Sequence, residues 1–214
     1  MSRNAHPEET ETLILDVAQN LFIQKGYDNT TIQDIIDNLG GMTKGAVYHH
    51  FKSKASILEA VTNRLFKNNT LSAEWEKIKS RTDLNGADKL KRMLLAAVSD
   101  EQEQTFRRMG IHLQNMPQMM SSLLIRSVNE IAPKAFEPVI EEGIQDGSID
   151  VLYAAEFAQL VSIFANIWIN PLVFPASDEE LKRKFMTISS IMEKCKIDIS
   201  DLYPALENMC SEFR

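Results

Sequence analysis

Residues 30–54 run Thr30-Thr31-Ile32-Gln33-Asp34-Ile35-Ile36-Asp37-Asn38-Leu39-Gly40-Gly41-Met42-Thr43-Lys44-Gly45-Ala46-Val47-Tyr48-His49-His50-Phe51-Lys52-Ser53-Lys54. A pair of glycines parts two stretches of helical periodicity. Thr30 heads a capping-box pattern with Gln33, and Ile32, Ile35, Ile36 and Leu39 follow at helical spacing. Gly40-Gly41 then stops that helix after about ten residues. Thr43 is the next N-cap candidate and opens a helix of roughly two turns that runs to about Phe51. Ser53 caps a further helix through Ile57, Leu58, Val61, Leu65 and Phe66. Upstream, Ile14, Val17, Ala18, Leu21 and Phe22 mark one apolar face of a helix. Gly26 is placed to end it in the left-handed conformation, with Tyr27 folded back on its last turn.

Outward from this segment the chain continues as helices, expected at 54–79, 87–104, 105–115, 118–146 (bent at Pro133 and Pro138), 152–170, 178–196 and 200–212. No stretch reads as a strand of useful length. The expected fold class is therefore all-α, with a three-helix head over residues 1–53 that extends into the start of the helix from 54, and a larger helical domain over 54–214. Of the 214 residues, 44 % are apolar and 25 % charged, which excludes wholesale disorder. Cys195 and Cys210 fit neither a disulfide framework nor a metal site and read as reduced packing residues of a cytoplasmic protein. Met1–Thr12 lacks the apolar stretch of a signal peptide. The most apolar run, Phe157–Phe174, is broken by Gln159, Ser162, Asn166, Asn170 and Pro171, so no membrane span is expected.

Two short helices joined by a tight glycine turn, with a supporting helix before them, make a helix-turn-helix unit. Its second helix suits a DNA groove. Gly45 and Ala46 let backbone approach base edges, Ala46 can touch a thymine methyl, and Lys44 can reach a guanine or a phosphate. The Thr43 hydroxyl and the first-turn amides suit a phosphate oxygen. Val47 and Phe51 would anchor the opposite face. The formal net charge is −7, yet residues 1–67 hold seven Lys/Arg against eight Asp/Glu, and residues 38–58 hold no acid. A near-neutral head on an acidic body fits docking of DNA by the head alone.

Metal and catalytic readings fail on geometry. His49 and His50 are adjacent, hence about 100° apart on a helix, a poor arrangement for a shared metal. Residues 40–46 look superficially like a phosphate loop, but Ala46 stands where that motif needs lysine. No metalloprotease, nucleophile-elbow or nucleotide motif occurs, so no cofactor and no catalytic residue is expected.

The segment from Thr30 to Ile36, followed by Met42-Thr43-Lys44-Gly45-Ala46-Val47-Tyr48-His49-His50-Phe51-Lys52-Ser53-Lys54, resembles the DNA-binding head of the tetracycline-repressor (TetR) family. The resemblance runs from the first helix to Leu65. It implies that Thr31 meets a phosphate, that Thr43, Lys44, Gly45 and Ala46 face bases and backbone, and that Tyr48, His49 and Lys54 contact phosphates. There are two departures. Gly40-Gly41-Met42 is one residue longer than the family's usual turn, and Ser53-Lys54-Ala55-Ser56 lacks the usual first-turn acid.

The remainder has its own signals. From Phe157 to Ile169, ten of 13 residues are apolar, a surface broad enough to need cover from a second subunit. Leu181, Phe185, Ile188, Met192 and Cys195 form a bundle-type seam. A four-helix interface is thus expected through Leu160, Phe164, Trp168, Leu181, Phe185, Ile188 and Met192. The homodimer would read a palindromic operator with half-sites roughly 34 Å apart. The middle helices are rich in adaptable residues, Met93, Leu94 and Met119 among them. The resemblance implies an effector pocket there, expected at Trp75, Phe106, Met109, His112, Met116 and Met120. It would take an apolar or aromatic small molecule, with Arg107, Arg108 or Arg126 meeting any anionic group. The expected function is a ligand-released transcriptional repressor. The alternative is a helical small-molecule carrier or adaptor that does not bind DNA.

Overall fold

Few residues interrupt the helical periodicity. The computed structural model describes residues 7–67, 70–98, 109 and 117–211, and among these there are helices and no strand. The expected helix at 105–115 and the expected pocket residues Phe106, His112 and Met116, with Arg107 and Arg108, lie outside the described residues. The helices are α1 (Pro7–Lys25), α2 (Ile32–Asp37), α3 (Lys44–His50), α4 (Lys54–Lys67), α5 (Thr70–Lys79) and α6 (Gly86–Val98). After them come α7 (Pro117–Arg126), α8 (Glu137–Asp146), α9 (Ala154–Ile163), α10 (Asp178–Lys194) and α11 (Leu202–Ser211). No described helix is long and apolar enough to cross a membrane.

The chain forms two compact units. The first holds the described residues up to Lys67 together with Met109. Ile14, Ala18 and Phe22 of α1, Ile35 of α2, Val47 of α3, and Ile57, Leu58 and Val61 of α4 are fully buried, each on the inner side of its helix. Burial of three α4 residues packs that helix into the first unit. α1 ends as its sequence indicates. Gly26 has φ +80°, its amide donates to the Phe22 carbonyl at 3.0 Å, and the Tyr27 ring meets Phe22 edge-on at 5.3 Å.

The α2 cap differs from the expectation, and two of the residues expected in an effector pocket have definite places. Thr31, not Thr30, caps α2. Thr30 is fully buried, and its hydroxyl donates to the Gly26 carbonyl at 2.8 Å. Met109, expected in an effector pocket, belongs to the head, fully buried, with its carbonyl accepting the Tyr27 amide at 2.9 Å. Trp75, also expected in the pocket, lies in the core of the second unit. Its indole N–H donates to the Met93 carbonyl at 2.9 Å and its ring packs 5.3 Å from Phe136. Met120, on α7, is half-buried.

The second unit comprises the described residues from Thr70 to Val98 and from Pro117 onward. Its core gathers Leu90 and Met93 of α6, Val139 and Ile140 of α8, Val161 of α9, and the Leu181, Phe185, Ile188 and Met192 stripe of α10. That stripe was expected to face a second subunit. It is buried in the chain's own core, because neighbouring helices of the same unit already cover it. Leu160 is exposed, and Phe164 and Trp168 are half-buried.

The long helix expected over 118–146 is present with a change of pitch. Between α7 and α8, Ser127–Phe136 winds with the wider i→i+5 turn, and Pro133 lies inside it. A proline ring in an α-turn collides with the carbonyl four residues back, and the wider turn takes that carbonyl out of its path. Pro138 follows in the first turn of α8. A second wide-pitch segment, Phe164–Trp168, extends α9.

The start of α6 lies against α8 with no room to spare. A side chain begun at Gly86 would stand 2.2 Å from the Gly143 backbone nitrogen and 2.5 Å from the Val139 carbonyl oxygen. The Gly86 amide donates to Asp146 Oδ2 at 2.8 Å and the Ala87 amide to Ser148 Oγ at 3.1 Å, which satisfies two of the orphan donors of α6. One turn on, the buried Lys89 ammonium meets both Glu142 carboxylate oxygens at 2.6 and 2.7 Å. This partnering is what permits a charge at that depth.

Candidate nucleic-acid interface

α2 is too short to persist by propensity and is fixed at its start by a reciprocal box. Asp34 N–H donates to Thr31 Oγ1 at 3.0 Å, while the Thr31 amide and hydroxyl both donate to Asp34 Oδ2 at 2.8 and 2.7 Å. Lys25 Nζ closes on Asp34 Oδ1 at 3.0 Å. The Thr31 hydroxyl, its amide and then the Lys25 ammonium hold the Asp34 carboxyl well below the usual carboxylate range. Thr31, expected at a phosphate, thus has both its donors engaged by Asp34.

Because the folded Asp34 is the stronger acid, its contribution is present at neutral pH and is lost as pH falls below its ordinary value of 3.8. The head should therefore keep its urea midpoint from pH 7 to about pH 4 and lose stability below. Thr31→Ala should lower stability by roughly 1 kcal/mol at pH 7. It should also blunt the acid-induced fall, as measured by denaturant titration across that range.

Between α2 and α3 the turn uses two left-handed residues, Gly40 (φ +63°) and Gly41 (φ +93°), a sequence of conformations open to glycine at little cost. The extra residue of this turn is therefore absorbed without strain. Thr43 then caps α3, its Oγ1 accepting the Ala46 amide at 3.3 Å. Val47 is fully buried and Phe51 nearly so, which clamps one side of the helix to the head. The opposite side is open. Thr43, Lys44, Gly45 and His49 are exposed, while Ala46 and Tyr48 are half-buried. Apart from the helix's own backbone, no atom of the described residues lies within 4 Å of where a side chain at Gly45 would begin. The Lys44 ammonium sits 5.7 Å from the centre of the Tyr48 ring, one turn on.

Lys54 was expected at a phosphate. Its ammonium instead donates to the Tyr27 carbonyl at 2.7 Å and lies 4.2 Å from the Tyr27 ring, tying the end of α1 to the start of α4. The negative end of α1 accounts for the attraction. Ser53 and Ser56 replace the missing first-turn acid with a mutual cap, each amide donating to the other's hydroxyl at 3.1 and 3.0 Å. Lys52 went unassigned in the sequence. It is exposed, follows Tyr48 by four residues and donates to the Tyr48 carbonyl at 3.1 Å, so that spacing was the signal. With no acid over residues 38–58, this face carries Lys44 and Lys52 unopposed within its own segment. Among the described residues no cluster of His, Cys, Asp and Glu is suited to a metal.

The family described as bacterial regulatory proteins, tetR family, matches residues 14–61, which span α1 through most of α4. The chain is 25 % identical over 193 residues to the HTH-type transcriptional repressor KstR2 of Mycolicibacterium smegmatis, covering 86 % of this chain and 90 % of that one. It is 27 % identical over 157 residues to IcaR of Staphylococcus aureus, the HTH-type negative transcriptional regulator of the biofilm operon icaADBC, covering 72 % and 80 %. A TetR-family transcriptional regulator of Pectobacterium atrosepticum shares the fold, with a TM-score of 0.61 at 18 % identity over 91 % of this chain and 97 % of the other. Residues 14–61 thus match a tetR-type head, and the all-helical fold is that of a tetR-family regulator.

The matched family and these relatives are transcriptional regulators, not enzymes. The matched residues include α3 and its open side. Gly45 is the second residue of that helix, and apart from the helix's own backbone no described atom lies within 4 Å of where its side chain would begin.

Proposed function

We propose that this chain is a homodimeric repressor of the cytoplasm that holds a palindromic operator through α3 and leaves it when a small molecule binds the second unit. The observation that carries the DNA-binding half is the α3 face itself: exposed, free of acid, notched at Gly45 and clamped from behind by Val47 and Phe51. On this reading Thr43, Lys44, Gly45 and Ala46 enter the groove. Tyr48, with Lys52 beside it, meets the phosphate backbone, and His49 lies on the same face.

The second copy needs a different surface from the one expected at Leu181, Phe185, Ile188 and Met192. Support for it comes from the outer side of the same helices, where Leu160 is 49 %, Met186 60 % and Ile191 44 % exposed. Two chains paired there would form the four-helix seam, with Phe164 and Trp168 at its margin. The effector reading rests on the family, whose members bind small molecules. An apolar or aromatic effector would shift the population between an operator-competent and an operator-incompetent dimer.

Titration of random-sequence duplex pools followed by the selected palindrome tests the reading. Binding should weaken steeply with salt, and Lys44→Ala and Tyr48→Ala should each cost about tenfold or more. Sedimentation at micromolar concentration should show a dimer, and Met186→Glu with Ile191→Glu should give monomers that remain folded. A chain that binds no duplex at low salt would be a carrier or adaptor instead, and a monomer at all concentrations would remove the paired-half-site model.

A further inference from the structure

We infer that the helix from Pro117 to Asp146 has two registers, and that Pro133 selects which side of α7 faces the core. The sequence carries one apolar stripe along this helix. Ile125, Val128, Ala132, Ala135 and Val139 follow one another at alternating spacings of three and four, the repeat of a single α-helical face. The structure keeps the second half of that stripe and inverts the first. Ala132, Ala135 and Val139 are buried, yet Ile125 is 55 % and its neighbour Leu124 46 % exposed, and Val128 is half-buried. Ser127 takes the inward position instead and is fully buried.

The wide turn over Ser127–Phe136 is what inverts the pattern. With i→i+5 winding a residue stacks on the one five places on, which brings Ser127 into line with Ala132. At α pitch five residues make about 500°, so Ser127 would stand roughly 140° away from Ala132 and Ile125 within roughly 20° of it. The observed register carries costs. Two large aliphatic side chains stand in water, and the buried Ser127 Oγ has no hydrogen-bond partner among the described residues. Burial also works against the Arg126 charge, with Glu130 as a partial offset. Two features oppose these costs. The Pro133 ring would strike the Asn129 carbonyl at α pitch, and the Ser162 hydroxyl donates to the Ser127 carbonyl at 2.8 Å. Each register thus satisfies what the other leaves unmet, the condition for a two-state element. The two states turn opposite sides of α7 outward, Leu124 and Ile125 in one, Arg126 and Ser127 in the other. Any molecule that touches α7 unequally in the two would shift the balance.

Cysteines introduced one at a time into the full-length chain report the register through their rate of alkylation by N-ethylmaleimide. The label is located by mass after digestion, which sets Cys195 and Cys210 aside. With Pro133 in place, the thiol of Ile125→Cys should react fast and that of Ser127→Cys slowly. The latter should still react at least about tenfold faster than the thiol of Ala132→Cys, which faces the core in both registers. Adding Pro133→Ala should reverse the order, slowing position 125 about tenfold and speeding position 127 by as much, with one cooperative melting transition retained for the second unit. Adding Ile125→Asn to the Ser127→Cys, Pro133→Ala chain should return position 127 to slow labelling, because the α register then buries no isoleucine. Equal rates at 127 and 132 would show that the chain never leaves the wide register and would overturn the inference. An unchanged order in Pro133→Ala would do the same, since packing and not the proline would then fix the turn. So would fast labelling at every position with the melting transition lost, since no second folded register would exist.

Discussion

Gly45→Leu should leave the head at least as stable as before and abolish operator binding. A leucine there has room, for no described atom beyond the helix's own backbone lies within 4 Å of its starting point, and Gly45 does not adopt a positive φ. Gly45 is the second residue of α3, so a good helix former there gains only part of the about 1 kcal/mol of a mid-helix exchange. The same side chain would occupy the space through which a base edge reaches the α3 backbone, so affinity for the selected duplex should fall by about a hundredfold or more. Gly45→Ala should lie between the two. Thermal melting and duplex titration on one preparation separate the effects, since stability and binding are expected to move in opposite directions. A leucine variant that binds as tightly as the wild type would mean that another surface meets the duplex.

Gly86→Ala should do the reverse, damaging the fold of the second unit through a single methyl group. The new carbon would stand 2.2 Å from the Gly143 nitrogen and 2.4 Å from its Cα, both backbone atoms that cannot rotate away. Relief requires the first turn of α6 to lift from α8. That movement would also stretch the bonds from the Gly86 and Ala87 amides to Asp146 and Ser148 and disturb the Lys89–Glu142 pair. Overpacking costs 1–3 kcal/mol in ordinary cores, and a rigid backbone-to-backbone clash should reach about 3 kcal/mol or more. The urea midpoint of the second unit is the measurement, and a shift below about 0.5 kcal/mol would show that the crossing is slack.

The head was largely legible because its information is local. Gly26, the two turn glycines, Thr43 and Ser53 each govern a bond within a few residues, and the structure shows each helix stopping or starting beside them. The one-residue error at Thr30 has a physical source. Thr30 and Thr31 are both followed three residues later by a side chain able to close the box, Gln33 or Asp34. The choice was decided by burial of Thr30 under the end of α1, a contact absent from any local pattern.

In the body, periodicity announced that faces were covered and could not announce by what. The α10 stripe has the same three-and-four spacing whether a neighbouring helix or a second subunit lies on it. Its burial in the chain's own core leaves Met186 and Ile191 outside. Trp75 and Met109 were chosen as adaptable pocket residues from composition. Their places were set by long-range bonds, the Trp75 indole to Met93 and the Met109 carbonyl to Tyr27. The α6–α8 crossing left no sequence signal, since Gly86 and Gly143 are ordinary until they are seen facing each other.

The seat of Met109 in the head bears on how these regulators diversify. Residues as far as Lys67 look like a module that could be cut out and joined to another body, yet one of its buried side chains arrives from far downstream. A hybrid carrying only this head would depend on the recipient to supply a side chain of matching bulk and a carbonyl for the Tyr27 amide. Exchange of heads between such proteins would then succeed or fail at a position far from α3 in the sequence, and recombination should favour crossovers that carry both pieces together.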